Sequence, residues 1–170
     1  MGKRSDFKRI ERDFYPTPYK AVEPLFPHLP PLTAYDEPCA GEGDLIQHLS
    51  SAGHVCVASS DITDWHTKQD ARTLTKLHGE CFITNPPWDR SLLHPIIENL
   101  SSIGPTWLLF DADWMHTRQS HALITKCKKV VSIGRVKWFP DSPHTGKDNC
   151  CWYLFDQNNH NPTQFYGRNN

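Results

Sequence analysis

Four consecutive residues, Asn85-Pro86-Pro87-Trp88, combine an amide oxygen, two prolines and a large π-face. Each proline ring fixes φ and removes a backbone donor, so this stretch of chain offers carbonyl oxygens without N–H groups beside them. The Asn85 side-chain oxygen and the Pro86 carbonyl can each accept one hydrogen of a planar –NH2 group, while the Trp88 indole stacks on the ring that carries it. Held in that way, the nitrogen loses conjugation with its ring and turns its lone pair toward an electrophile. The bland alternative is a strand end capped by a Pro-Pro turn with a packed Trp.

A second group of residues points to a ligand for the same site. Glu37-Pro38-Cys39-Ala40-Gly41-Glu42-Gly43 follows a short strand and opens a helix. Its glycines let the backbone pass close to a bound molecule at the C-terminal edge of a sheet. The next strand ends on Asp61-Ile62, with Asp61 eighteen positions beyond Gly43. A carboxylate there can accept both hydroxyl hydrogens of a ribose, or else serve as a helix N-cap. Together the two features indicate a nucleoside-bearing cofactor. A third stretch, Arg135-Val136-Lys137-Trp138-Phe139-Pro140 continuing to Lys147, interleaves cations with aromatics. Cations neutralise phosphates and aromatics stack on unpaired bases, so this is the expected nucleic-acid contact; an edge hairpin with solvated charges is the alternative. The basic head Lys3, Arg4, Lys8, Arg9 and Arg12 can also meet phosphate.

These residues need a frame. Ala34 to Glu37, His54 to Ser60, Cys81 to Thr84, Thr106 to Phe110, Lys129 to Ile133 and Cys150 to Phe155 read as strands. Asp44 to Ala52, Leu92 to Leu100 and Trp114 to Lys126 read as helices from their apolar spacing. Strands alternating with helices predict an α/β domain with a mostly parallel sheet covered on both faces. The last two strands are joined without a helix, which predicts an antiparallel edge hairpin. Trp107 is expected in the core. Asp111-Ala112-Asp113-Trp114 borders the expected pocket and receives no role from its sequence.

The totals set the class. At 170 residues, 38% hydrophobic and 22% charged, the chain fits one compact domain. The expected division is a single domain over residues 1–156 and a polar, loosely packed tail over 157–170. A formal net charge of −1 advertises no global basic field, so any nucleic-acid surface must be local. No apolar run approaches a membrane span, and the N-terminus lacks the apolar core of a signal peptide. The six cysteines include no C-x-x-C pair, so a zinc site is not expected, and reduced thiols predict a cytoplasmic protein.

Asp13-Phe14-Tyr15-Pro16-Thr17-Pro18, Glu37-Pro38-x-x-Gly41-x-Gly43 and Asn85-Pro86-Pro87-Trp88, in this order, resemble motifs X, I and IV of the amino-methylating DNA methyltransferases. Within that group the phage-type adenine-N6 enzymes are the nearest resemblance, which implies a bacterial or phage-infected cell. The resemblance spans roughly residues 7–155 and implies a Rossmann-like class I sheet of seven strands, or six in a minimal form. It implies S-adenosylmethionine as methyl donor and DNA as partner. Phe14, Tyr15 and Thr17 would then lie at the methionine end of the cofactor. Glu37, Pro38, Gly41 and Gly43 would line its centre, Asp61 and Ile62 its ribose, and Asp70 its adenine. Asn85, Pro86, Pro87 and Trp88 would be catalytic, Asn85 also touching the cofactor, and Trp88, Arg135, Lys137, Trp138 and Lys147 would meet the substrate. The chain departs from the pattern in two places. Asp70 follows Asp61 by only nine positions, so the third strand must be shortened or missing. A separate target-recognition domain is not expected either, which makes a homo-oligomer or a partner subunit the expected aid to recognition. Other amines fit the same tetrapeptide logic: guanine N2 in RNA, a protein glutamine amide, or cytosine N4 in DNA. A protein of this fold that binds nucleic acid or a partner without turnover is the non-enzyme alternative.

Overall fold

The computed structural model describes residues 15–63, 66–141, 143 and 145–168; Phe14 and the basic head lie outside these. Eight strands form one sheet: β1 (Ala34–Glu37), β2 (Val55–Asp61), β3 (Thr67–Lys68), β4 (Cys81–Thr84), β5 (Thr106–Asp111), β6 (Cys127–Arg135), β7 (Asn149–Phe155) and β8 (Gln164–Tyr166). Their order across the sheet is β3-β2-β1-β4-β5-β7-β6-β8. All neighbouring pairs are parallel except those that β7 makes with β5 and β6.

β4 and β5 read as largely apolar runs because both of their faces are covered. Alternate residues of β5 divide between two cores. Trp107 and Leu109 join α1 (Tyr19–Val22), α2 (Asp44–Ser51) and the segment carrying Leu25 and Leu29 on one face. Leu108 and Phe110 join α3 (Arg90–Ile103), α4 (His121–Ile124), Tyr153 and Phe155 on the other. Within the second core, Phe110 stacks on Tyr153 at 4.2 Å between ring centroids, and Trp114 meets both rings edge-on. Trp152 on the opposite face donates its indole N–H to the Ala21 carbonyl at 2.7 Å, which fastens the N-terminal segment to the sheet.

Three expectations change. The last two long strands are antiparallel, as expected, but β7 is inserted between β5 and β6, and the edge beyond β6 belongs to β8. The polar tail supplies that strand: Gln164, Phe165 and Tyr166 run parallel to Lys129, Val130 and Val131. Thr163 donates to the Cys127 carbonyl at 2.7 Å, and the Tyr166 ring lies 4.5 Å from that of His28. An edge strand is held by backbone hydrogen bonds, so its polar flanks gave no sign of it. The helix expected over 114–126 is broken instead into two 3-10 turns, Ala112–His116 and Arg118–Ser120, ahead of the single turn of α4. Thr117 between them is extended, and the hydroxyls of Thr117 and Ser120 bond to the carbonyls of Trp114 and Thr117. Side chains of this type offer the backbone an alternative to helix. The third strand is shortened, as expected, to two residues paired with Ser60 and Asp61.

Candidate functional site

Parallel strands point their C-terminal ends to one edge, so Glu37, Asp61, Asn85 and Asp111 all emerge together. The chain passes from β1 through α2 to β2 on one side, while β4 lies on the other side of β1. That reversal of direction leaves a crevice between the loops that follow β1 and β4. A cavity of about 400 Å³ fills it, bounded by Tyr15-Pro16-Thr17, the turn after β1, Asp61 to Thr63, Asp70 to Arg72, Asn85, Pro87 and two residues of α3, Leu92 and Ile96. The glycine turn and the double-proline loop therefore share one cleft. Among the residues expected at the cofactor, Gly43 stands behind the cavity wall, and Phe14 lies outside the described residues.

The glycine turn is closed onto the end of β2. Gly41 and Gly43 have φ of 52° and 91°, a region that side chains disfavour. Ala40 N–H donates to the Ser60 carbonyl at 3.0 Å, and Gly43 N–H to the Ala40 carbonyl at 2.8 Å. Asp61 Oδ2 accepts from Gly41 N–H at 2.9 Å, and Oδ1 accepts from both the N–H and hydroxyl of Thr63 at 2.9 Å. Asp61 is thus the latch of the turn, with acceptor capacity left on Oδ2. Ile62 beside it is half exposed at the cavity rim.

Glu37 is the electrostatic centre of the site. It is 1% exposed, its Oε1 accepts from Cys39 N–H at 3.1 Å, and its Oε2 is buried without a partner. Burial raises its carboxyl from the ordinary value of 4.5 to about 8. The Cys39 thiol is likewise pushed well above its usual range by burial, so no thiolate nucleophile stands in this turn. Among the described residues, five carboxyl groups line the cleft, from Glu37, Glu42, Asp44, Asp61 and Asp70, against the one guanidinium of Arg72. Arg72 is already paired with Asp70, both oxygens of which it engages, and that pairing holds the Asp70 carboxyl below the usual range. The cleft is acidic and favours a cation.

The tetrapeptide divides its work. Asn85 Nδ2 donates to Thr17 Oγ1 at 3.1 Å and lies 3.5 Å from the Tyr15 carbonyl, which fixes the amide with Oδ1 turned away from that strap. The oxygen has one partner, Trp88 Nε1 at 3.4 Å, while the same indole N–H makes a shorter bond of 3.1 Å to the Leu109 carbonyl. Asn85 and Pro87 face the cavity, and Pro86 is buried behind them. Trp88 is half-buried and packs edge-on against Trp138 at 5.5 Å. Tyr15 lies 5.9 Å from both Trp138 and Phe139, so the loop after β6 closes an aromatic rim beside the clamp. Arg135 at the end of β6 and Lys137 and Lys147 on that loop are exposed, and Gly146 N–H ties the loop to the Val136 carbonyl at 2.8 Å.

The structure also accounts for Asp111-Ala112-Asp113-Trp114. Asp111 caps the 3-10 turn by accepting from Trp114 N–H at 2.8 Å, and its other oxygen pairs with Arg90 at 2.9 Å, close behind the tetrapeptide. Trp114 donates to His94 Nε2 at 2.9 Å. The segment braces the start of α3. Sequence reasoning missed Arg90, Leu92 and Ile96, although the spacing of the last two on one helix face was a usable signal.

No protein-family model matches the chain, and no curated protein is significantly similar to it. Solved structures share its architecture at low identity. A candidate RNA methyltransferase of Pyrococcus horikoshii aligns over 91% of this chain and 93% of its own, with a TM-score of 0.66 and 14% identity. A dimethyladenosine transferase from Plasmodium falciparum aligns over 84% of this chain and 62% of its own, with a TM-score of 0.55 and 16% identity. The M protein of the type I restriction enzyme EcoKI aligns over 82% of this chain at a TM-score of 0.53 and 10% identity; the chain spans less than half of that protein. The chain has the class I methyltransferase fold, and its acidic cleft and Asn-Pro-Pro loop lie at that fold's ligand-binding edge.

Proposed function

We propose that this protein is an S-adenosylmethionine-dependent methyltransferase acting on an exocyclic amine, adenine N6 in DNA. The observation that carries the reading is the meeting of Asn85 and Pro87 with the Glu37-to-Gly43 turn in one cavity. The cleft fits the cofactor on its own chemistry. An orphaned buried carboxyl oxygen on Glu37 suits a cationic amino-acid end. Asp61 Oδ2 retains room for a ribose hydroxyl, and Asp70 stands at the far end for a nucleobase amine. A volume of about 400 Å³ is in the range of small-molecule sites. When bound, the cofactor supplies an electrophilic methyl group.

The residues of the chain do the orienting. Asn85 Oδ1, weakly engaged by Trp88, accepts one hydrogen of the substrate amine; Pro86, expected from the sequence to take the other through its carbonyl, is buried behind the cavity wall and does not line it. The strap Tyr15 to Thr17 holds the amide in the required orientation from behind. Trp88 and Trp138 flank the ring, and Arg135, Lys137 and Lys147 neutralise the phosphates that follow it. Catalysis by orientation alone can supply several kcal/mol. A base in duplex DNA must be flipped out to reach the clamp. The aligned EcoKI M protein and the dimethyladenosine transferase support an adenine target. RNA is a second reading, supported by the longer alignment to the protein described as an RNA methyltransferase.

Labelled S-adenosylmethionine is to be incubated with DNA, RNA and protein acceptors, followed by digestion of labelled nucleic acid to nucleosides. N6-methyladenine from DNA is expected. Asn85→Ala should abolish transfer while cofactor binding persists; near-normal methylation by that variant refutes the amine clamp. Cofactor binding without label in any acceptor would favour a binding module.

A further inference from the structure

We infer that Asn99 of α3 is a positioning residue that sets the nucleoside end of the cofactor cleft; the inference rests on the cofactor reading above. Leu92, Ile96 and Asn99 fall at spacings of four and three, on one stripe of the helix. The first two line the cavity. Asn99, one turn further, reaches past its floor. Both hydrogens of its amide are used: Nδ2 donates to the Ala71 carbonyl at 2.9 Å and to the Leu74 carbonyl at 3.0 Å. The clamped segment begins with Asp70, Ala71 and Arg72, all on the cavity wall.

Besides the burial of Ala71, the packing of Leu74 against the core under α3 and the Gln69 N–H bond to the Asp61 carbonyl, that segment has few ties. β3 before it is two residues long, and Ala71–Thr73 is a single 3-10 turn capped by Asp70 itself. Asp70 and Arg72 are tied mainly to each other, an arrangement that fixes their mutual geometry but not their place relative to β1 and β4. Asn99 ties them to α3, and α3 is capped by Asp89 immediately after the amine clamp. One helix of 14 residues, with Pro95 inside it, therefore links the two ends of the cleft. A carboxylate meant to meet a nucleobase amine must be placed to within a fraction of an ångström, and a residue two hydrogen bonds behind it can impose that.

The test compares two probes on wild type and on Asn99→Ala: S-adenosylhomocysteine, which spans the cleft, and 5′-methylthioadenosine, which lacks the amino-acid end. Loss of two hydrogen bonds predicts an affinity loss of about tenfold, equal for both probes. Faster amide hydrogen exchange over residues 70–74 of the ligand-free variant should accompany it. Glu37→Gln provides the contrast, weakening S-adenosylhomocysteine and leaving 5′-methylthioadenosine unaffected. Unchanged affinities in Asn99→Ala, or a loss confined to S-adenosylhomocysteine, overturn the inference. Should Asn99→Ala fail to fold, Asn99→Asp is measured in its place, since it keeps the volume and removes both donors. Wild-type protein that binds neither probe refutes the cofactor reading itself, whatever the variants do.

Discussion

Replacing Glu37 by Gln tests the electrostatics of the cleft without any substrate. Burial raises this carboxyl from 4.5 to about 8. Below pH 4.5 the residue is neutral in both folded and unfolded chains and has no effect. Between 4.5 and about 8 the unfolded chain ionises it while the folded chain keeps it protonated, so stability falls as pH rises. Above that range the full penalty stands. At about 1.36 kcal/mol per pH unit the interval is worth ~5 kcal/mol at most. The amide introduced by Glu37→Gln cannot titrate, so the stability of that variant should not carry this slope. Urea unfolding of the ligand-free proteins at about pH 5.5, 7 and 8.5 should show the variant gaining on wild type by about 3 kcal/mol across the series. The same group predicts a proton linkage. A cation bound against Glu37 requires the carboxylate, so S-adenosylhomocysteine binding near pH 7 should release a large fraction of a proton. Calorimetry in buffers of different ionisation enthalpy reads that release directly. Parallel stability curves for variant and wild type would refute the buried-acid reasoning, and binding without proton release would refute the pairing of Glu37 with the ligand's charge.

Three further outcomes are expected. Trp138→Ala should raise KM for an oligonucleotide about tenfold while the affinity for S-adenosylhomocysteine is kept, because the indole stands beside the clamp and outside the cofactor cavity; steady-state kinetics with both substrates varied separates the two. Cys39→Ala should keep most of its turnover, since burial holds the thiol protonated, and loss of all transfer with cofactor binding intact would mean that the thiol takes part in the reaction. In Gly79→Ala the new Cβ would meet the Ala34 carbonyl oxygen at 2.6 Å and Tyr35 Cα at 2.8 Å, backbone atoms that cannot move aside. A loss of about 2 kcal/mol, or roughly 4–8 °C in Tm, should appear in thermal melts.

The sequence carried the parts of this protein that depend on local chemistry. β1 and β4 have the bounds expected for them; Cys81–Thr84 reads as an apolar run because an interior parallel strand is covered on both faces, whereas β1 ends on the buried carboxyls of Asp36 and Glu37. The glycines of the turn after β1 and the prolines after β4 declared backbone geometry directly, through positive φ at Gly41 and Gly43 and missing donors at Pro86 and Pro87. What those residues are to each other was decided by strand order. Only with β4 beside β1 do Asn85 and Glu37 reach one cavity, and pairing between distant strands leaves no mark in either segment. The insertion of β7 between β5 and β6 and the recruitment of Gln164–Tyr166 as an eighth strand were invisible for the same reason: backbone hydrogen bonds, common to nearly every residue type, made those choices. The latch that Asp61 forms on Gly41, and the roles of the Asp111 and Asn99 side chains, were unreadable in a related way. Each is a short polar group whose role follows from the N–H or carbonyl that folding happens to bring within hydrogen-bonding reach of it.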